Sequence, residues 1–153
     1  MKLTSSAFKD GEKIPSKYTC EGKNINPPLE ISGVPSHAVS LVLIMDDPDV
    51  PASVRKDQMY DHWVVFNLSP NTHKIEEDTT PRATIGQSTN GKNEYVGPCP
   101  PDREHRYFFK LYALDKELDL EAGASKKQVE QAMKGHVIEH TQLLGLYDKK
   151  NRK

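Results

Sequence analysis

Prolines and glycines interrupt this chain at short intervals, and their distribution constrains the fold more than any other feature of the sequence. The 153 residues include 11 prolines and 9 glycines. The first third alone carries turn-forming pairs at Asp10-Gly11, Glu21-Gly22, Pro27-Pro28 and Val34-Pro35. Because glycine and proline favour turns and interrupt regular elements, the pattern predicts many short strands joined by loops.

Three segments between these turns have the composition of strands: residues 39–45, 62–68 and 106–114. Segment 39–45 is apolar at both odd and even positions except at Ser40. Such a run is typical of a central strand that is covered on both faces. Segment 62–68 is rich in β-branched and aromatic residues, which favour strands. Segment 106–114 carries apolar groups on both faces. The sequence therefore predicts a mainly β fold.

Helical signal is confined to the C-terminal end of the chain. Ser125 and Gln128 have the spacing of a capping box, which begins a helix. Apolar residues and His140 then recur at steps of three and four from Val129 to Leu144. Gly135 lies inside this stretch and disfavours a continuous helix. We therefore predict a C-terminal helix, with a break into two short helices near Lys134.

The bulk composition predicts one globular domain over residues 1–153. A formal net charge of -1 offers no long-range attraction to nucleic acid or to an acidic membrane. The N-terminus lacks the apolar core of a signal peptide, and no apolar run approaches the roughly 20 residues that span a bilayer. The sequence therefore predicts a cytoplasmic protein without a transmembrane segment or a nucleic-acid partner.

The chain has two cysteines, Cys20 and Cys99. Two cysteines are too few to indicate a disulfide framework, and the predicted compartment is reducing. We expect both to be free thiols. A bridge between them and a reactive Cys99 are the alternatives.

The first group of candidate functional residues directly follows the predicted central strand. Asp46, Asp47 and Asp49 place three carboxylates within four positions, and these repel one another unless a cation, hydrogen-bond donors or a proton offsets the repulsion. Pro48 favours an extended Asp47, so that Asp47 and Asp49 could point to the same side. The alternative is an Asp-Pro turn in which the acids cap backbone N–H groups.

Two further groups lie at the starts of the other predicted strands. His62 opens the second strand, and by the period of two it shares a face with Val64 while Trp63 points the other way. His105 and Tyr107 share a face of the third strand and can each donate a hydrogen bond to an oxyanion. Each group alone fits an ordinary structural role, but together they form a polar cluster at one end of a sheet.

These three groups resemble the phosphatidylethanolamine-binding protein family, and most closely its bacterial and archaeal branch of Raf-kinase-inhibitor-like proteins. The resemblance rests on the Asp-Pro-Asp-x-Pro run at 47–51, on Asp-His-Trp at 61–63, and on Gly-Pro-Cys-Pro-Pro at 97–101 followed by His-Arg-Tyr at 105–107. The motifs occur in the family's order, and the resemblance covers nearly the whole chain.

The resemblance implies a β-sandwich in which a large central antiparallel sheet packs against a smaller one, with one or more C-terminal helices. It also implies an anion pocket at one end of the large sheet that accepts phosphate, acetate or a phosphorylethanolamine headgroup. It implies no cofactor, metal ion or catalytic residue. Carried over by motif, the ligand-binding residues are Asp47, Asp49, His62, Gly97, Pro98, His105 and Tyr107.

Physical roles follow for these residues. His62, His105 and Tyr107 would donate hydrogen bonds to phosphate oxygens. Asp47 would orient a histidine or contact an ammonium group. Since an ordinary histidine has a pKa of about 6.5, we expect affinity for a dianion to rise as the pH falls toward about 6.

The sequence departs from the family's pattern in two segments, which are expected to rim the pocket. Segment 52–60 is longer and more charged than the usual glycine-rich stretch, and segment 88–96 lacks an aromatic residue before Gly91. Ligand size and any partner surface depend on these segments.

We favour a non-enzymatic protein, monomeric or homodimeric, that binds a small anion and has a protein partner such as a kinase or protease that it inhibits. One alternative is a phosphoester hydrolase in which two histidines and an aspartate hold a metal ion or act as acid and base. Hydrolase and nucleotide-binding signatures such as Gly-x-Ser-x-Gly and the P-loop are missing from the sequence. Another alternative is an interaction protein with a vestigial pocket.

Overall fold

A computed structural model describes residues 1–150 of the chain, and residues 151–153 of the predicted domain lie outside the described residues. Two sheets make up most of this structure. The elements in chain order are β1 Lys2–Thr4, β2 Glu12–Lys13, a 3-10 turn Ser16–Tyr18, β3 Leu29–Ser32, β4 Ser40–Asp47, β5 Tyr60–Leu68, β6 Lys74–Ile75, β7 Thr84–Ile85, β8 His105–Leu114, α1 Lys126–Met133 and β9 Val137–Tyr147.

The six-stranded sheet has the order β2-β9-β8-β4-β5-β7, and the three-stranded sheet has the order β1-β3-β6. Every pair of neighbouring strands is antiparallel except β2 and β9. The mainly β fold with a large central sheet, a smaller second sheet and a C-terminal helix is therefore confirmed.

Strand β4 lies in the middle of the large sheet, between β5 and β8. All eight of its residues are buried. Leu41, Leu43 and Met45 face the core between the two sheets. Val42 and Ile44 face a second core, which α1 covers with Val129 and Met133. The prediction of a central strand covered on both faces is thus confirmed.

The C-terminal helix is shorter than the sequence predicts. The capping box is present, since the Ser125 hydroxyl accepts a hydrogen bond from the Gln128 backbone and the Gln128 side chain accepts one from the Ser125 backbone. The helix ends at Met133, and Gly135 has a positive φ of 80° that lets the chain turn. The second predicted helix is wrong. Residues 137–147 form strand β9, which pairs with the whole length of β8.

No helix in the part of the chain that the structure describes is long and apolar enough to cross a membrane.

Candidate functional site

A cavity of about 260 Å³ opens at the end of the large sheet where β4 ends and where β5 and β8 begin. This volume lies just below the usual range for small-molecule pockets, roughly 300–1,000 Å³, and suits a small ligand. Five of the predicted binding residues line it, and Asp49 and Pro98 do not. The lining residues are Asp47, Val50, Val54, Tyr60, His62, Val96, Gly97, Cys99, Pro100, Pro101, His105 and Tyr107.

A β-bulge in β5 turns His62 toward this cavity. Met45 on β4 pairs with Trp63, but the next β4 residue, Asp46, pairs with Asp61, so that His62 is the extra residue. A bulge of this kind re-aims a side chain. The His62 ring lies 5.3 Å from the ring of Tyr107, which belongs with Trp63 to the core between the sheets. The prediction that His62 shares a face with Val64 is therefore wrong, because strict alternation fails at the bulge.

His62 is buried, and its ring is oriented by one hydrogen bond. Its Nδ1 lies 2.6 Å from the carbonyl oxygen of Val96. A carbonyl only accepts, so Nδ1 carries the hydrogen and the neutral ring keeps a lone pair on Nε2. Burial lowers the pKa of His62 to about 4, although the Val96 carbonyl and the charge of Asp46 act in the opposite direction. At neutral pH, His62 is therefore an acceptor at Nε2.

His105 is held between two carboxylates. Its Nδ1 lies 2.6 Å from Asp47 Oδ2, and its Nε2 lies 2.6 Å from Asp102 Oδ1. Ionised carboxylates only accept hydrogen bonds, so this geometry is satisfied when both ring nitrogens carry hydrogen. The His105 side chain is fully buried, whereas 39% of the Asp102 side chain is exposed.

Asp47 positions His105 through the contact with Nδ1. Its second oxygen, Oδ1, accepts a hydrogen bond from the backbone N–H of Asp49 at 2.7 Å. Burial raises the pKa of the Asp47 carboxyl, and the hydrogen bonds from His105 and Asp49 only partly oppose that effect. Of the two roles predicted for Asp47, the structure shows the contact that orients a histidine.

Tyr107 contributes a buried hydroxyl to the cavity. Its side chain is fully buried and lines the cavity. Among residues 1–150, no group forms a hydrogen bond with the Tyr107 hydroxyl. Burial, followed by the nearby charge of Asp47, raises the pKa of this phenol above its ordinary value. The hydroxyl is therefore protonated and able to donate.

The wall formed by residues 96–101 rests against the N-terminal segment. The Gly97 backbone N–H donates to Asn24 Oδ1 at 2.8 Å, and the Cys20 N–H donates to the Pro98 carbonyl at 3.1 Å. A side chain at position 97 would collide with this segment, because a Cβ there would lie 2.5 Å from the Tyr18 carbonyl oxygen. Gly97 and Pro98 thus shape the wall through their backbones.

Cys20 and Cys99 form a disulfide with a Cα–Cα distance of 5.4 Å. The expectation of free thiols is wrong, and so is the alternative of a reactive Cys99. The two cysteines are 79 residues apart in the sequence, and their approach depends on tertiary contacts that local patterns do not indicate. The bridge ties the cavity wall to the N-terminal segment.

Asp49 lies outside the cavity and forms an ion pair. Its carboxylate accepts hydrogen bonds from the Arg106 backbone at 2.9 Å and from the Arg106 guanidinium at 2.8 and 3.0 Å. The hydrogen bond from the Arg106 side chain is the main reason that the pKa of Asp49 is lowered. Asp49 therefore fastens the segment after β4 to the start of β8.

Known proteins are similar to this chain in sequence and in fold. The family model for phosphatidylethanolamine-binding protein matches residues 4–148. This chain belongs to the phosphatidylethanolamine-binding protein family. It is 50% identical over 149 residues to a UPF0098 protein of Chlamydia trachomatis, covering 97% of this chain and 99% of the relative. It is 49% identical over 153 residues to a UPF0098 protein of Methanothermobacter thermautotrophicus, covering 96% and 98%.

Solved structures agree with this membership. A phosphatidylethanolamine-binding protein homologue from Chlamydia trachomatis superposes with a TM-score of 0.94 at 50% identity, covering 97% of each chain. YbcL of E. coli, described as a member of the mammalian phosphatidylethanolamine-binding protein family, superposes with a TM-score of 0.87 at 27% identity, covering 97% of this chain and 98% of YbcL.

The sequence did not indicate two parts of the site: the apolar side chains that line the cavity outside the family motifs, and Asp102. Val54 and Tyr60 come from the atypical segment 52–60, and Val96 ends the atypical segment 88–96. Tyr60 could have been found, because it precedes His62 by two positions on the same strand. The Val54 side chain comes from a loop, for which periodicity gives no direction.

Proposed function

We propose that this protein binds a small anion, a phosphate or a phosphorylated headgroup, in the cavity beside His62, His105 and Tyr107. The observation that carries the proposal is the Tyr107 hydroxyl, which is buried and has no partner among residues 1–150. A buried polar group without a hydrogen bond costs about 1–3 kcal/mol. A ligand oxygen that accepts a hydrogen bond from Tyr107 would remove that cost. The complex is then stabilised relative to the ligand-free protein.

The rest of the cavity supports a ligand with an apolar part next to its anion. Val50, Val54, Pro100 and Pro101 form much of the wall. Pockets that combine apolar walls with a few convergent polar groups bind small organic molecules. An esterified phosphate therefore fits this chemistry better than inorganic phosphate.

The biological role that we propose is regulatory, through a protein partner such as a kinase or protease, with the chain acting as a monomer or homodimer. We propose no catalytic role. The Cys20–Cys99 disulfide bears on location, because structural disulfides persist in oxidising compartments and are rare in the cytosol of mesophiles. The cytoplasmic location stays a prediction from the sequence, and the bridge argues against it.

The first test replaces Tyr107 by phenylalanine. Tyr107→Phe is expected to make the free protein about 1 kcal/mol more stable, since it removes an unsatisfied buried hydroxyl. The same change is expected to weaken phosphorylethanolamine binding about tenfold, because a hydrogen bond to a charged group is lost. Urea unfolding and titration calorimetry measure the two quantities. Tyr112→Phe, at a half-buried tyrosine outside the cavity, serves as the control. Unchanged affinity in Tyr107→Phe would contradict the proposal.

The pH dependence identifies which partner carries the proton. His62 has a pKa of about 4 and accepts through Nε2, so near neutral pH it pairs with a ligand that brings its own hydrogen. A phosphate monoester gains that hydrogen below its second pKa of about 6. We therefore expect the affinity for phosphorylethanolamine to rise about tenfold between pH 7.5 and pH 5.5.

The matched control ligand is 2-aminoethyl sulfate, which has a similar shape and no titrating proton in this range. Its affinity is expected to stay nearly constant over the same titration. A parallel rise for both ligands would mean that a protein histidine takes up the proton, as an ordinary histidine pKa predicts, and would overturn the assignment of His62 as an acceptor.

The hydrolase alternative receives less support from the site. Both ring nitrogens of His105 are occupied by carboxylates, so neither offers a lone pair to a metal ion or to a proton. Within residues 1–150, no group of three or more His, Cys, Asp or Glu side chains is arranged to hold a metal ion. Phosphate release from phosphorylethanolamine measures this alternative directly.

A further inference from the structure

His105 lines the cavity, and one of its ring nitrogens already contacts an anion of the protein itself, the carboxylate of Asp102. Its Oδ1 lies 2.6 Å from Nε2 of the fully buried His105 ring. The other ring nitrogen lies 2.6 Å from Asp47. His105 therefore has no donor left for a ligand while Asp102 stays in place, although His105 is one of the cavity's lining residues.

Electrostatic repulsion disfavours the binding of a second anion next to the Asp102 carboxylate. Two carboxyl groups, those of Asp47 and Asp102, already contact the single imidazole of His105, and His62 is neutral at its lowered pKa. Adding a phosphate would bring further negative charge into a partly buried site, where like charges repel strongly. If the phosphate replaces the Asp102 carboxylate, His105 keeps one anion on each side.

Asp102 is the more exposed of the two carboxylates that contact His105. The exposed fraction of its side chain is 39%, compared with 4% for Asp47 on the other side of His105. Pro100 and Pro101 precede it and stiffen the backbone, so the movement is a rotation of the side chain. The guanidinium of Arg103, with Nε 3.7 Å from Asp102 Oδ2, offers the released carboxylate a partner in solvent.

We propose that Asp102 is a built-in competitor for the anion site: an anionic ligand binds by displacing the Asp102 carboxylate from His105 Nε2. This inference rests on the proposed function. It adds a selectivity rule, because acetate offers His105 the same group that Asp102 already supplies at high local concentration. A phosphate, with more charge and more acceptor oxygens, displaces Asp102 more effectively. Asp102 thus sets a threshold that favours phosphates over monocarboxylates.

The test compares Asp102→Ala and Asp102→Asn with the wild type, using phosphorylethanolamine and acetate as probes at pH 6.0 and low salt. Both variants are expected to bind phosphorylethanolamine about tenfold more tightly than the wild type, the range of a single charge-assisted contact that is partly screened by solvent. Acetate binding is expected to become measurable in Asp102→Ala. The matched control is Glu104→Gln, which removes an exposed acid of the same loop that pairs with Lys13.

A second readout follows the contact itself. Ring ¹⁵N shifts of His105 in the wild type are expected to change at Nε2 on addition of phosphorylethanolamine and on Asp102→Ala, with Nδ1 nearly unaffected. The ligand titration requires only that the wild-type protein is folded.

The outcomes separate the two proposals. Equal or weaker phosphorylethanolamine binding in both Asp102 variants, with binding intact in the wild type, overturns the competitor role and leaves anion binding standing. An equal gain in Glu104→Gln also overturns it, because the effect would then be general charge removal. Absence of binding in the wild type and in every variant overturns anion binding, and the competitor role with it.

Discussion

Reduction of the Cys20–Cys99 disulfide is expected to lower the free energy of unfolding by about 2–5 kcal/mol. The bridge closes a loop between residues 79 positions apart in the sequence, and closing a long loop removes much conformational freedom from the unfolded chain. Both cysteines are exposed, so a thiol reagent reaches the bridge in the folded protein. Urea unfolding with and without dithiothreitol measures the change as a shift of the midpoint.

The control for reduction is the double variant Cys20→Ser/Cys99→Ser. Its stability is expected to match that of the reduced wild type and to be insensitive to dithiothreitol. Equal unfolding midpoints for the oxidised and reduced wild type would show that the bridge adds nothing to stability. Reduction is also expected to weaken anion binding, because the wall at Cys99 then loses its covalent link to the N-terminal segment and keeps hydrogen bonds such as those of Asn24 and of the Cys20 backbone.

The three long central strands could be predicted because buried strands are rich in apolar residues. Strand β4 is covered on both faces, and apolar residues at both odd and even positions are the direct consequence. The short strands β2, β6 and β7 contain two residues each. Segments of that length have no periodicity to detect.

Residues 137–147 show why a helical spacing can mislead. Val137, His140 and Leu144 fit the steps of a helix, yet β9 pairs with β8 from Val137 to Tyr147. Most of β9 is not fully buried, and its burial alternates only from Leu143 onward. Backbone hydrogen bonds to a distant strand therefore decide the structure, and such bonds leave little trace in local sequence.

The candidate site could also be predicted only in part. The motif residues His62, His105 and Tyr107 were predicted, and the structure brings them to one cavity. Their individual states were not predictable, because they depend on neighbours that are distant in sequence. The Val96 carbonyl determines the tautomer of His62, and Asp47 and Asp102 occupy both nitrogens of His105.

The second large effect is expected from Gly97→Ala, which should lower the free energy of unfolding by about 3 kcal/mol, the upper part of the range for overpacking. A Cβ at position 97 would lie 2.2 Å from Asn24 Oδ1 and 2.5 Å from the Tyr18 carbonyl oxygen. The Asn24 side chain can rotate away, at the loss of its hydrogen bond to the Gly97 N–H. The Tyr18 carbonyl belongs to the backbone and cannot rotate away, so the cavity wall itself must move. Phosphorylethanolamine binding is therefore expected to be lost.

Gly91→Ala separates crowding from backbone strain in this prediction. Gly91 has a positive φ of 86°, and a Cβ added there would meet nothing within 4 Å, so alanine adds only the strain of a left-handed backbone, about 1–2 kcal/mol. Its anion affinity is expected to stay at the wild-type value. If Gly97→Ala costs no more than Gly91→Ala and still binds phosphorylethanolamine, the wall is more compliant than its contacts imply. If only Gly97→Ala loses both stability and binding, the close approach of residues 18–24 to Gly97 maintains the shape of the anion site.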